Sequence, residues 1–183
     1  MARCPDTRTK LICSLMLEEG LRRGEVATLQ LGDLDLAGRL MLVRGKGGTE
    51  RVLPITDDTF ELILAYTDET GFWRGGPVIR SKRDPARSIK PDRVTAIVAG
   101  VMREARIRES AHSLRHTMAT DSLRGGAHIR DVQRALGHKH LRTTERYLPW
   151  LVDVEGGLRQ AIGGRHYGSS HPTEHHDAGS EGA

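Results

Sequence analysis

The chain has 183 residues, 37% of them hydrophobic, enough for one packed core and too few for two full domains. It holds no apolar run long enough to span a bilayer and opens on no secretory leader, so a cytoplasmic protein without a membrane partner is expected. The formal net charge is +4, and the segment from Gly163 onward holds one arginine against three acids, so the body before it is more basic still. That charge is compatible with a phosphate-bearing partner, although it does not separate one from a generic basic surface.

Cys4 and Cys13, nine apart and close to the start, read as reduced thiols rather than a disulfide framework. From Thr9 to Glu19, Leu11, Ile12, Leu15 and Met16 recur at helical spacing beside Glu18 and Glu19, predicting an amphipathic helix stopped by Gly20 just before Arg22. Short β-compatible runs follow at Asp33 to Leu36, Leu40 to Arg44 and Arg51 to Ile55. The last two are joined by a glycine-rich turn, Gly45 to Thr49, which puts Lys46 on a mobile hairpin tip.

Asp57 to Glu69 predicts a long helix ended by Gly71. Pro77 to Arg80 and the basic stretch Ser81 to Lys90 read as a surface connection, whose Arg80, Lys82, Arg83, Arg87 and Lys90 are either a solvated face or phosphate contacts. Pro91 opens another helix to Ala105, and a further one from Ser113 to Arg124 is stopped by Gly125 and Gly126. Ile129 to Leu136 carries apolar Ile129, Val132 and Leu136 and closes on Gly137, a left-handed cap. Thr143 is placed to cap a short helix carrying Tyr147, and Pro149 limits its run. Leu151, Val154, Leu158 and Ile162 keep helical spacing on a weak helix interrupted by Gly156 and Gly157. Beyond Gly163, glycine, serine and histidine predict a disordered tail in which His171, His175 and His176 form no metal site. The sum is an α+β fold, mainly α-helical, with one small antiparallel sheet.

The chemistry concentrates between Ala111 and Trp150. A tyrosine hydroxyl has an unperturbed pKa near ~10, so it attacks phosphorus only where cations stabilise both the phenolate and the phosphate. Arginine supplies that best, because its planar fork grips two phosphate oxygens at once. His112 and Arg115 stand three apart at the head of a helix and share a face, so both can meet one phosphate. Taken singly, each residue has a plainer reading: a helix cap for His112, a solvated charge for Lys46, an ordinary first-turn carboxylate for Glu25. His138 with His140 suggests a metal pair, but no cysteine or carboxylate stands at ligand spacing, so no metal and no cofactor are expected.

Together, H-S-L-R-H-T-M-A-T from His112 and L-G-H-K-H-L-R-T-T-E-R-Y ending at Tyr147 closely resemble the signature of tyrosine recombinases, also called phage integrases. The upstream half of that signature is present as G-L-R-R-G-E at Gly20 to Glu25 and V-R-G-K-G-G-T-E-R-V-L-P-I at Val43 to Ile55. The resemblance implies Arg22 and Arg115 as phosphate-clamping arginines, Lys46 as the acid for a leaving 5′ oxygen, and Tyr147 as a nucleophile forming a 3′ phosphotyrosyl link. It implies that His112 assists proton transfer near the tyrosine, that His138 donates to a phosphate oxygen, and that Glu25 braces the cluster. His116 is expected to be a packing residue. Arg23 and Gly24 depart from the apolar and small residues usual after the first arginine, without touching the functional positions.

The resemblance covers about residues 5 to 162, a catalytic domain, with 163 to 183 as tail; the family's N-terminal DNA-binding domain is expected to be absent because the pattern begins almost at Met1. It implies double-stranded DNA as partner, self-association into a tetramer on paired DNA sites, a nucleoid-associated location, and site-specific recombination. Alternatives are DNA relaxation by the same tyrosine chemistry, as in type IB topoisomerases, and a non-catalytic DNA-binding or regulatory module.

Overall fold

The computed structural model describes residues 6–45, 47–71, 75–108, 110–145 and 147–148. Lys46, Cys4, Pro149, the apolar stripe from Leu151 to Ile162 and the tail with its histidines all lie outside the described residues.

Helix α1 spans Thr7–Leu17, two residues earlier than the apolar spacing suggests, because Asp6 caps it by accepting the Thr9 N–H at 2.6 Å. It is buried on more than one face. Leu11, Ile12, Leu15 and Ser14 are inaccessible, and the Ser14 hydroxyl bonds the Thr59 hydroxyl at 2.7 Å. Glu19, a polar position at the end of the expected amphipathic helix, is buried and accepts the Thr56 N–H at 2.8 Å. Burial holds the Glu19 carboxyl above its ordinary pKa, and the Thr56 hydrogen bonds only partly oppose this. Gly20, at φ +65, turns the chain out of α1.

Helix α2, Arg23–Thr28, follows at once. Six residues carry too little apolar periodicity to announce a helix, and the sequence gives no sign of it beyond Glu25 at its N3 position. A 3-10 turn at Leu31–Asp33 then leaves the first strand, β1, with only Leu34–Asp35 of the expected Asp33 to Leu36. Strands β2 (Leu40–Arg44) and β3 (Glu50–Pro54) complete an antiparallel sheet of order β1-β2-β3, with Arg44 opposite Glu50 and Leu40 opposite Pro54. Met41, Val43 and Leu53 face the helices and are buried, whereas Val52 is exposed on the other face.

Helix α3 (Asp57–Thr70) starts at a Thr56 cap and ends at left-handed Gly71. The segment before helix α4 (Pro91–Glu104) is not purely a surface connection: Val78, Ile79 and Ile89 join the core. Arg80 is buried with them, its Nη1 bonding the Pro85 carbonyl at 2.7 Å and its Nη2 the Gly75 carbonyl, so this arginine is taken up internally. Helices α5 (Ala111–Arg124), α6 (Ile129–Leu136) and α7 (Arg142–Glu145) are the last elements among the described residues. Thr143 lies inside α7 and does not cap it, and Tyr147 sits in a turn just past its end.

Among the described residues, two apolar clusters result. The larger gathers α1 to α4 and the sheet; the smaller consists of Ala119, Leu123, Val132, Leu136 and Tyr147, with Met118 and Ile129 against it. At roughly 1.5–3 kcal/mol per buried large side chain, the smaller cluster helps hold α6 and the tyrosine onto α5. Among the described residues no helix is long and apolar enough to cross a membrane.

Candidate active site

Three of the expected residues converge on one cleft. Arg22, His112 and Arg115 line a space of about 320 Å3 together with Met16, Leu21 and Thr95. The three-residue spacing on α5 delivers His112 and Arg115 to the same side, but to different depths: His112 is exposed, whereas Arg115 is 1% exposed.

Arg115 is fixed by carbonyls. Its Nη1 bonds Gly20 O, where the chain leaves α1, and its Nη2 bonds Leu136 O at the last residue of α6. Burial lowers its pKa to about 10, helped by the charges of Arg22 and Arg51 and opposed by Glu25 and Tyr147. It therefore remains charged at neutral pH.

Arg22 is the N-cap residue of α2 and is 42% exposed. Its backbone N–H and its Nη1 both donate to Glu25, at 2.8 and 2.9 Å, and its Nη2 lies 3.5 Å from the Gly137 carbonyl. Glu25, 5% exposed, also receives both forks of Arg51 from β3. Burial alone would raise its pKa, but the Arg51 bonds, the Arg22 N–H and the two guanidinium charges together hold it below the usual carboxylate range. Glu25 is thus a first-turn carboxylate at the α2 N-terminus that also bonds two arginines, Arg22 and Arg51.

His138 and Tyr147 do not line this cleft; they pack with His116 in an aromatic group that the end of α6 joins to it. Gly137, at φ +58, ends α6 and turns His138 toward α7. The His138 Nδ1 meets the Thr144 hydroxyl at 2.9 Å, and the His138 N–H and carbonyl both bond Gln133, which fixes the ring. His138 stacks on Tyr147 at 6.4 Å between centroids and 22° between planes, while His116 meets the same ring edge-on at 4.7 Å and 88°. Tyr147 is 2% exposed between them. The Leu136 and Gly137 carbonyls, which contact Arg115 and Arg22, directly precede His138, so a few residues of backbone connect the arginine cleft to the tyrosine.

Lys46 lies outside the described residues, but the base of its hairpin does not: Gly45 N–H bonds Thr49 O at 2.7 Å, and a Cβ on Gly45 would stand 3.7 Å from Glu25 Oε1. Sequence reasoning passed over Arg51 and Thr144. Arg51 had a signal, since strand alternation puts it on the same face as buried Leu53. Thr144 had none, because its partner depends on how the α6–α7 turn folds back.

The phage integrase family matches residues 1–150 of the chain. Among curated relatives, tyrosine recombinase XerC of Pelobacter propionicus is 34% identical over 157 residues, covering 80% of this chain and 49% of that protein. Tyrosine recombinase XerA of Thermococcus onnurineus is 35% identical over 147 residues, with 80% and 52% covered. The chain spans about half the length of these relatives. Among solved structures, the crystal structure of XerA recombinase superposes with a TM-score of 0.74 at 26% identity, over 88% of this chain and 59% of that one. The integrase from mycobacterium phage Brujita gives 0.64 at 28% identity, over 86% and 50%. Match, relatives and superposition agree: the chain belongs to the phage integrase family.

Proposed function

We propose that this chain carries the catalytic centre of a site-specific recombinase that breaks and rejoins double-stranded DNA through a 3′-phosphotyrosyl intermediate. The observation that carries the reading is the cleft shared by Arg22, His112 and Arg115, joined through Leu136 and Gly137 to the stacked pair of His138 and Tyr147. Related proteins have been solved on DNA, among them XerH bound to its difH substrate.

In this reading Arg22 and Arg115 hold the non-bridging oxygens of one phosphate, and His138 donates to the same group. The Tyr147 hydroxyl attacks phosphorus, its proton passing toward His112. The bond from phosphorus to the 5′ oxygen breaks, and Lys46 supplies the proton with which that oxygen leaves as a hydroxyl. A 5′ hydroxyl of a second strand attacks the phosphotyrosine in reverse, restoring the phenol and joining the strands. Residues 5–162 form the catalytic unit, and assembly on paired sites brings four copies together at the nucleoid.

The buried tyrosine belongs to a resting arrangement. α7 has four residues, and Tyr147 follows it in a turn, an element small enough to swing toward a bound phosphate. The test is covalent capture on a randomised library of nicked duplexes, in the presence of chelator. Native protein forms an adduct and Tyr147→Phe forms none; an adduct that persists in Tyr147→Phe overturns the proposal.

A further inference from the structure

Arg51 has no part in the chemistry above, yet its side chain is only 12% exposed beside the cleft. Its Nη1 and Nη2 bond Glu25 Oε1 and Oε2 at 2.9 and 2.8 Å, and its Nε donates to the Ala135 carbonyl at 2.7 Å. A carboxylate offers about four lone-pair sites, and Glu25 has four donors on it: two from Arg51, the Arg22 N–H and the Arg22 Nη1.

We infer that Arg51 is a positioning residue for the phosphate clamp: it saturates Glu25, so that Glu25 orients Arg22 without cancelling its charge. The same side chain ties the return strand of the Lys46 hairpin to the end of α6, which presents Leu136 O and His138. The inference rests on the recombinase reading.

The charge balance gives the physical reason. Arg22 from α2, Arg51 from β3 and Arg115 from α5 face Glu25, while Asp92 of α4 is engaged by Arg23 at 3.2 Å. Three cations against one carboxylate leave the cleft strongly positive. Without Arg51 the whole carboxylate charge falls on Arg22, the group that must meet the phosphate, and two lone-pair sites of a buried oxygen pair go unfilled. A guanidinium also supplies two parallel bonds and a third to a carbonyl, a geometry lysine cannot copy.

The test uses Arg51→Met, Arg51→Lys and the native chain, each checked for folding by thermal melting. Two quantities are read: the titration of the Glu25 carboxyl carbon by NMR in the free protein, and the pH profile of adduct formation at saturating nicked duplex. In Arg51→Met the Glu25 titration moves to higher pH, the acid limb of the adduct rate moves with it, and the plateau rate falls about tenfold or more at saturating DNA. Arg51→Lys, which keeps one charge and loses the fork, falls between, and it decides alone should Arg51→Met fail to fold. An unmoved Glu25 titration, or a native plateau rate in both variants, overturns the inference. If the native chain yields no adduct, the recombinase reading fails separately, and the Glu25 titration still decides whether Arg51 governs that carboxylate.

Discussion

Replacing His116 by alanine should loosen Tyr147 by an amount the ring geometry sets. The pair is edge-to-face at 4.7 Å and 88°, an arrangement that contributes about 0.5–1.5 kcal/mol beyond the area it buries. At roughly 1.4 kcal/mol per factor of ten, conformations with Tyr147 out of its pocket become about two- to twelvefold more populated. His138 stays stacked on the other side, so release is partial. The substitution also removes the 3.4 Å contact of the His116 Nδ1 with the Thr120 hydroxyl, which keeps its bond to the carbonyl of residue 116, at 3.0 Å in the native chain. Peptide-resolved nitration reads the effect, with Tyr66, buried on α3, as the internal reference. Tyr147 should be nitrated about two to twelve times faster and Tyr66 at its native rate. Unchanged nitration of Tyr147, or an equal rise at Tyr66, would refute the claim that His116 holds the tyrosine locally.

Leu136→Ala empties a fully buried position in the smaller cluster and should cost about 2–5 kcal/mol in urea unfolding; a loss under about 1 kcal/mol would mean that α6 is not anchored there. Gly137→Ala forces a side chain into a left-handed backbone at φ +58 and sets its Cβ 3.2 Å from Arg51 Nη1. It should destabilise by about 1–2 kcal/mol, and a neutral result would contradict that turn. Glu25 governs acid stability: its folded pKa is depressed, so the unfolded chain binds the proton first, and the stability it contributes is present above the ordinary carboxylate range and lost as pH falls through the depressed value. Glu25→Gln should flatten that acid limb in melts taken against pH, and an unaltered limb would place the effect elsewhere.

Segments with a clear apolar or alternating pattern were legible from the residues. Leu40–Arg44 and Ile129–Leu136 form with the bounds their patterns indicate; Gly71 ends its helix as expected, and Gly137 does so in the left-handed conformation expected of a cap. Elements without such a pattern were not. α2 is held by Arg22, Glu25 and tertiary packing instead of periodicity, and β1 is shortened because Asp33 turns back to accept the Gln30 N–H at 3.0 Å. Two charged residues are buried for a common reason. Glu19 and Arg80 look solvated by type, yet each found backbone partners inside the fold, Thr56 N–H for one and the Gly75 and Pro85 carbonyls for the other. In the site, motif spacing indicated that Arg22, His112 and Arg115 meet but not their depth: Arg115 and Tyr147 are the largest fully buried side chains among the described residues, while His112 is exposed.

Locating the covalent bond tests the chemistry most directly. The captured complex, trimmed by nuclease and digested, is sequenced by mass spectrometry to find the residue that carries the nucleotide. A 3′ phosphonucleotide on Tyr147, absent when Arg115 is replaced by methionine, is the expected result. A nucleotide on any other residue, or undiminished attachment without the Arg115 guanidinium, would contradict a tyrosine attack on an arginine-held phosphate.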